Sequence, residues 1–362
     1  MGLEFSRRIE RIPAYPVADA YGERAPRVRL ASNEAPFETL PAVRDALAAH
    51  AAELNRYPDP SAGELRRLIA ERHEVPAGHV VVGNGSCEVL MLLGEALLEP
   101  GAEIVHAWPS FSVYPHLSAA SGARAVTVPL DGEHRHDLDA MAREVTVATR
   151  VVIVCNPNNP TSTALPVARI AEFVERIPPY VCVILDEAYS EYNLLDDPAA
   201  SVALLEHHPN LVLLRTFSKV YGLAGLRVGY ALCGSHEVPL ALNRVRQPFN
   251  VSTAAQAAAS AALGSQDAIV ERVARTVAER ISVAERLAAM GLAVADSQAN
   301  FCWLLLGADR DEAAVVAALM ERGILVRAGA ALGASEPALR VTYGLPQENS
   351  AFLDALAEIL GA

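Results

Sequence analysis

Leu211-Val212-Leu213-Leu214-Arg215-Thr216-Phe217-Ser218-Lys219 carries an apolar run of strand length into a polar turn that ends on a lysine. The four leading aliphatics do not alternate with polar residues. That pattern suits a strand buried on both faces of a largely parallel sheet. Similar runs recur at residues 126–130, 151–155 and 181–185, and helical patterns lie between several of them, as at 167–177. Residues 80–82 form another, stopped by Gly83-Asn84-Gly85, after which Ser86 is placed to cap an apolar helix from 89 to 98. The alternation predicts an α/β architecture with a mostly parallel sheet.

Outward from this centre the character changes near Gln247-Pro248-Phe249-Asn250. Residues 253–263 and 267–290 are long helical stretches rich in alanine and arginine. Strand-like runs follow at 299–306, 324–327 and 339–343, with a helical pattern at 312–322. We expect an N-terminal arm over 1–30, where Pro13, Pro16 and Pro26 suppress periodicity. A large domain over 31–248 and a smaller α+β domain over 249–362 should follow.

Lys219 is the only lysine, against 29 arginines. A chain that uses arginine wherever a positive charge suffices keeps lysine where arginine fails. Arginine stays protonated in proteins, whereas a lysine amine can become neutral and nucleophilic. The commonest task of that kind is a Schiff base with a carbonyl, including the aldehyde of pyridoxal phosphate. The plain alternative is a chance survivor on a solvated face.

The remaining composition narrows the field. A net charge of −13 with no long basic cluster argues against nucleic acid and anionic membranes as partners. Five cysteines lie scattered in apolar segments without metal-ligand spacing, as buried thiols of a reducing compartment do. No run of about 18 apolar residues suggests a membrane span, and the first residues lack a signal-peptide pattern, so a cytoplasmic protein is expected.

In open parallel sheets, ligands bind beyond the carboxyl ends of the strands. Several polar groups of this chain fall there. The backbone amides of Ser86 and Cys87 could hold a phosphate at a helix N-terminus, or the segment is a plain helix cap. It lacks the G-x-G-x-x-G spacing of a dinucleotide site. Asn156-Pro157-Asn158-Asn159-Pro160-Thr161 is either an ordinary turn or a rigid loop aiming the Asn159 amide. Asp186 ends a buried run, and a carboxylate there needs a partner: a pyridinium nitrogen, a metal, or a helix terminus it caps. Tyr189 lies three residues on. Ser218 and Arg227 offer a hydroxyl and a guanidinium fork to a phosphate.

Together and in this order, these stretches resemble fold type I pyridoxal-phosphate aminotransferases, and more closely the histidinol-phosphate aminotransferase family. The likeness spans nearly the whole chain. It is carried by Leu30-Ala31-Ser32-Asn33-Glu34, Asn55-Arg56-Tyr57-Pro58-Asp59, Gly83 to Ser86, Asn156 to Thr161, Asp186-Glu187-Ala188-Tyr189, Arg215 to Lys219, Gly222 to Arg227, Ala299-Asn300-Phe301 and Arg340-Val341-Thr342. The resemblance implies that Lys219 forms the Schiff base and Asp186 pairs with the pyridine nitrogen, while Asn159 and Tyr189 bond the phenolic oxygen. It implies that Ser86, Cys87, Thr216, Ser218 and Arg227 hold the phosphate, with Tyr57 reaching in from the second subunit of a homodimer. Phe111 would stack on the pyridine ring and Arg340 would grip a carboxylate. Arg327, Tyr15 and Asn33 would line the substrate side.

Two departures bear on substrate. Ser162 stands where the family usually has glycine, and Cys87 where an aspartate is common. With Phe111 in place of tyrosine, and with Trp108-Pro109-Ser110-Phe111 and Ser297 to Trp303, the chain looks more like the aromatic (phenylalanine) aminotransferase branch. That branch implies ping-pong exchange between an aromatic L-amino acid and 2-oxoglutarate. Histidinol-phosphate transamination is the alternative. A lyase or decarboxylase on the same fold is a further one, disfavoured because Arg340 would stabilise the carboxylate. A non-catalytic regulator would have no use for Lys219.

Overall fold

The computed structural model describes residues 3–5, 9–12 and 27–361. In chain order, β1 (Val28–Arg29) precedes α1 (Pro41–His50), α2 (Gly63–His73), β2 (Val80–Gly83) and α3 (Gly85–Leu97). Next come β3 (Glu103–Trp108), α4 (Tyr114–Ser121), β4 (Arg124–Pro129), α5 (Leu138–Arg143) and β5 (Thr149–Cys155). Then follow α6 (Val167–Arg176), β6 (Cys182–Asp186), β7 (Leu211–Thr216), β8 (Gly229–Cys233) and α7 (Glu237–Val245). The remainder is α8 (Thr253–Leu263), α9 (Gln266–Ala289), β9 (Ala293–Val294), β10 (Phe301–Leu305), α10 (Glu312–Glu321), β11 (Ile324–Leu325), β12 (Arg327–Ala328), β13 (Ala338–Thr342) and α11 (Pro346–Leu360).

Seven strands form the central sheet in the order β2-β8-β7-β6-β5-β3-β4. All its pairings are parallel except those of β8, which runs antiparallel to both β2 and β7. Every residue of β6 and of β7 is buried, as their unalternating apolar runs require. Val183, Leu185, Leu211 and Leu213 face one layer of helices (α1, α2, α5, α6, α8), while Ile184, Val212 and Leu214 face α3, α4 and α7. The expected α/β architecture is therefore present.

A second sheet, β12-β13-β10-β9, packs with α9, α10 and α11 around Leu304, Leu319, Val341 and Phe352. The long helix α9 joins the two units. Its inward positions, Ile269, Arg272, Thr276, Arg280, Val283 and Leu287, recur every three or four residues. Two of these six are arginines that bond backbone carbonyls: Arg272 to Val220 and Tyr221, Arg280 to Tyr192.

Two local expectations need correction. Ser86 does not cap α3. Asn84 occupies that position, its N–H donating to Glu88 Oε2 at 2.6 Å, and Ser86 lies inside the first turn. The expected strand over 324–327 divides into β11 and β12, which belong to different sheets. Within the stretch read as an arm, β1 pairs with β11 and Leu30 sits in the core of the second sheet. Finally, β8 was not foreseen. On the far side of the anticipated change at 249, α8 packs its alanines into the core of the large sheet.

Candidate active site

The carboxyl ends of β2, β3, β5, β6 and β7 and the start of β8 meet along one edge of the sheet. β6 delivers Asp186 there, 3% exposed. Tyr114 O–H donates to Asp186 Oδ2 at 2.8 Å and the Ala188 N–H to Oδ1 at 3.3 Å. Burial nevertheless dominates and pushes the carboxyl up to about 6. A carboxylate held that way is matched to a cationic partner. Tyr114, one helical turn beyond Phe111, was not singled out from sequence. Phe111 is half-buried and stands edge-on to Tyr114, with ring centroids 5.7 Å apart.

Lys219 follows β7 through Thr216, Phe217 and Ser218. Its Nζ donates to the Ser32 carbonyl at 3.2 Å and lies 5.5 Å from the Tyr189 ring centre. Burial, and secondarily the positive charge of Arg340, lower the amine to about 8. Neutral amine is thus accessible near physiological pH, as a nucleophile needs. Cys87 faces the same space: burial and then the Asp186 charge push its thiol up.

The loop from 217 to 228 closes on itself, with Phe217 N–H donating to Val228 O at 3.1 Å. It carries Arg227, in left-handed backbone at φ 55°, back to the mouth of β8. Arg227 Nη1 bonds Ser218 Oγ at 3.3 Å and the Ala224 carbonyl at 3.0 Å, and the Ser218 N–H bonds Thr216 Oγ1 at 3.1 Å. The first turn of α3 lies beside them. A side chain on Gly85 would place its Cβ 2.5 Å from Arg227 Nη2. Unpaired helix amides, two hydroxyls and a guanidinium therefore converge on one small cradle, which suits a phosphate.

Across from Lys219, β13 presents Arg340. Its Nη1 donates to Asn159 Oδ1 at 2.7 Å and its Nη2 to the Ala31 carbonyl at 2.5 Å. Asn159 thus accepts from the guanidinium here and leaves its amide NH2 for another partner. Asn33, at φ 54°, donates from Nδ2 to the Tyr189 hydroxyl at 3.0 Å and is locked by Thr342 and Asn300. Arg327 lies opposite Arg340 in the β12–β13 register. Tyr57 is not among these groups. It is 81% exposed on the surface, stacked on Phe249 at 4.5 Å, beside a hollow lined by Asn55, Arg56, Asp59 and Thr253. Tyr15 lies outside the described residues.

These donors fit pyridoxal phosphate. The cradle of Ser86, Cys87, Thr216, Ser218 and Arg227 would hold its phosphate, Asp186 its ring nitrogen and Lys219 its aldehyde, with Asn159 and Tyr189 as donors to its phenolic oxygen. Among the described residues, no cluster of His, Cys, Asp and Glu is arranged to hold a metal ion.

The sequence profile of the family described as aminotransferase class I and II matches residues 25–356. An aromatic amino acid aminotransferase of Thermobifida fusca is 48% identical over 348 residues, covering 95% of this chain and 94% of the relative. A histidinol-phosphate aminotransferase 1 of Cupriavidus pinatubonensis is 43% identical over 350 residues, covering 96% and 92%. Among solved structures, the histidinol-phosphate aminotransferase of Sinorhizobium meliloti in complex with pyridoxal-5'-phosphate superposes with a TM-score of 0.91. It is 28% identical, and the match covers 100% of this chain and 98% of that one.

Proposed function

The chain belongs to the class I and II aminotransferases, an enzyme of fold type I that uses pyridoxal phosphate, and from that premise we propose that it exchanges an amino group between an aromatic L-amino acid and 2-oxoglutarate. The observation that carries the substrate side is the character of the wall beside Lys219. Cys87 stands there without charge, Phe111 packs edge-on to the Tyr114 that bonds Asp186, and Arg340 is aimed by Asn159 and Ala31 as a fork for one carboxylate. The 48% identical relative named for aromatic amino acids supports the same choice.

When bound, pyridoxal phosphate supplies an aldehyde and an electron-withdrawing ring. The rest is the work of this chain. Asp186 keeps a proton on the ring nitrogen, and Tyr114 holds the carboxylate in line. The Lys219 amine would act as general base toward the proton on the substrate Cα and as general acid toward the cofactor's aldehyde carbon. Arg340 fixes the α-carboxylate, with Asn159 bonding both Arg340 and the phenolic oxygen. Tyr189, tied to Asn33, would donate to that oxygen as well.

Arg327, the register partner of Arg340 on the neighbouring strand, is compatible with either substrate; in the alternative, histidinol phosphate, the substrate phosphate would use both cations. We further place the working enzyme in the cytoplasm as a homodimer, with Tyr57 and Phe249 at the subunit junction and Tyr57 reaching the partner's phosphate cradle. We divide the chain into a large unit over 31–248 and a small one over 249–362; the two separate sheets support that reading, and α8 packs back onto the former.

A half-reaction panel tests the substrate. Cofactor absorbance is followed on mixing with phenylalanine, tyrosine, tryptophan, glutamate and histidinol phosphate. Phenylalanine should give the higher kcat/KM. A value for histidinol phosphate about 10-fold above it, roughly 1.4 kcal/mol in transition-state binding, overturns the aromatic assignment and leaves the aminotransferase intact.

A further inference from the structure

We propose that Arg215 and Glu187 are positioning residues, whose buried ion pair on the sheet face opposite the site sets the spacing between Asp186 and Lys219. The proposal rests on the assignment of those two groups to the cofactor. Asp186 follows Ile184 in facing the α3–α4 layer, where Tyr114 meets it, and Thr216 follows Leu214. Their chain neighbours Glu187 and Arg215 turn to the other face. There Arg215 Nε and Nη2 both reach Glu187 Oε2 at 2.9 Å, with the two side chains 4% and 7% exposed. Among the described residues no other ion pair has both partners so deeply buried.

Its location is informative. Backbone pairing between β6 and β7 stops at Asp186 opposite Leu214, its last bond running from Glu187 N–H to Leu214 O. β7 continues two residues further, paired only with β8. The ion pair therefore takes over where the ladder ends, one residue from Asp186 on one strand and four from Lys219 on the other. Arg215 Nη2 also donates to the Pro198 carbonyl at 2.5 Å and to Ser201 Oγ at 3.2 Å, fastening the segment that leaves the β6 end.

A buried ion pair is a poor device for stability, since well-packed apolar residues do as well or better. What the planar fork supplies is a fixed angle and distance. Displacing a catalytic group by about 1 Å can lower a rate about 100-fold, so a fixed spacing here bears directly on turnover.

The test replaces the pair as a unit, Glu187→Leu with Arg215→Met, in the cofactor-loaded enzyme. Three quantities are read: Tm, the split between kcat and KM, and the pH midpoint of the absorbance of Lys219-bound cofactor. We expect a Tm at or above that of the parent. We expect kcat to fall about 10- to 100-fold with KM little changed, and the midpoint to move by about half a pH unit or more. Arg215→Lys, which keeps the charge and loses the fork, should fall between parent and double variant. Native kcat and native midpoint in the folded double variant overturn the proposal. If the double variant does not fold, Arg215→Lys decides by the same two readouts, and parental values overturn it equally. The midpoint needs no amino acid substrate, so a failure of the aromatic assignment leaves this test standing.

Discussion

At Asp186 burial outweighs the Tyr114 hydrogen bond and the Lys219 charge, and an acid–base linkage follows for the cofactor-free protein. Its unfolded value is 3.8 and its folded value about 6. Between those two pH values the folded chain holds a proton that the unfolded chain has released. Stability therefore falls as pH rises from about 4 to about 6, and the full penalty is present above that. Asp186→Asn removes the charge and keeps an acceptor for Tyr114. Without cofactor, the variant should be more stable than the parent at pH 8, by up to about 3 kcal/mol. That advantage should vanish near pH 4. Loaded with cofactor, it should lose at least about 100-fold in kcat, or about 2.7 kcal/mol of barrier. Melting curves at the two pH values and one kinetic assay check this, and equal stabilities at pH 8 would mean the carboxylate is already paired.

At the scale of elements, β8 and the first turn of α3 meet backbone to backbone. A Cβ on Gly229 would come within 2.7 Å of the Gly85 carbonyl carbon and 3.0 Å of the Arg215 carbonyl oxygen, both backbone. Gly229→Ala must move the helix N-terminus off the strand, which should cost about 1–3 kcal/mol of stability and weaken cofactor binding about 10-fold, 1.4 kcal/mol. Gly225→Ala, in the same loop but with nothing within 4 Å, should do neither. Cofactor titration and thermal melts of the two variants separate these outcomes. The same junction shows what the sequence left obscure. Buried parallel strands announce themselves by unbroken aliphatic runs, so β5, β6 and β7, and the polar groups at their ends, were legible. β8 was not, because Gly222, Gly225 and Gly229 made the whole stretch look like loop. Tyr114 carried no local signal either. It becomes relevant through a contact with Asp186, 72 residues away, and only the packing of α4 on the sheet creates that contact. The apportioning of atoms was equally hidden: Asn159 was expected as a donor, and its carbonyl oxygen is taken by Arg340, a residue of the other unit.

For the whole molecule, the exposed Tyr57–Phe249 stack is the feature that a single chain leaves unexplained. A homodimer explains it, and we expect a solution mass of twice one chain by analytical ultracentrifugation. Tyr57→Ala should leave that mass unchanged while lowering cofactor affinity about 10-fold, about 1.4 kcal/mol. A monomeric parent, or a variant with parental affinity, removes Tyr57 from the site. The reversal of β8 has a consequence of its own at this scale. Because β8 is the antiparallel neighbour of β7, the segment from 217 to 228 departs from and returns to adjacent strands, about 4.8 Å apart. Both ends are pinned by the ladder whether or not a ligand is present, so the segment has little configurational freedom to surrender. Lys219 and Arg227, which we propose hold the cofactor's aldehyde and its phosphate, sit on the same short, tethered loop. Cofactor capture then resembles entry into a ready-shaped mould more than the folding of a loose strand around a guest.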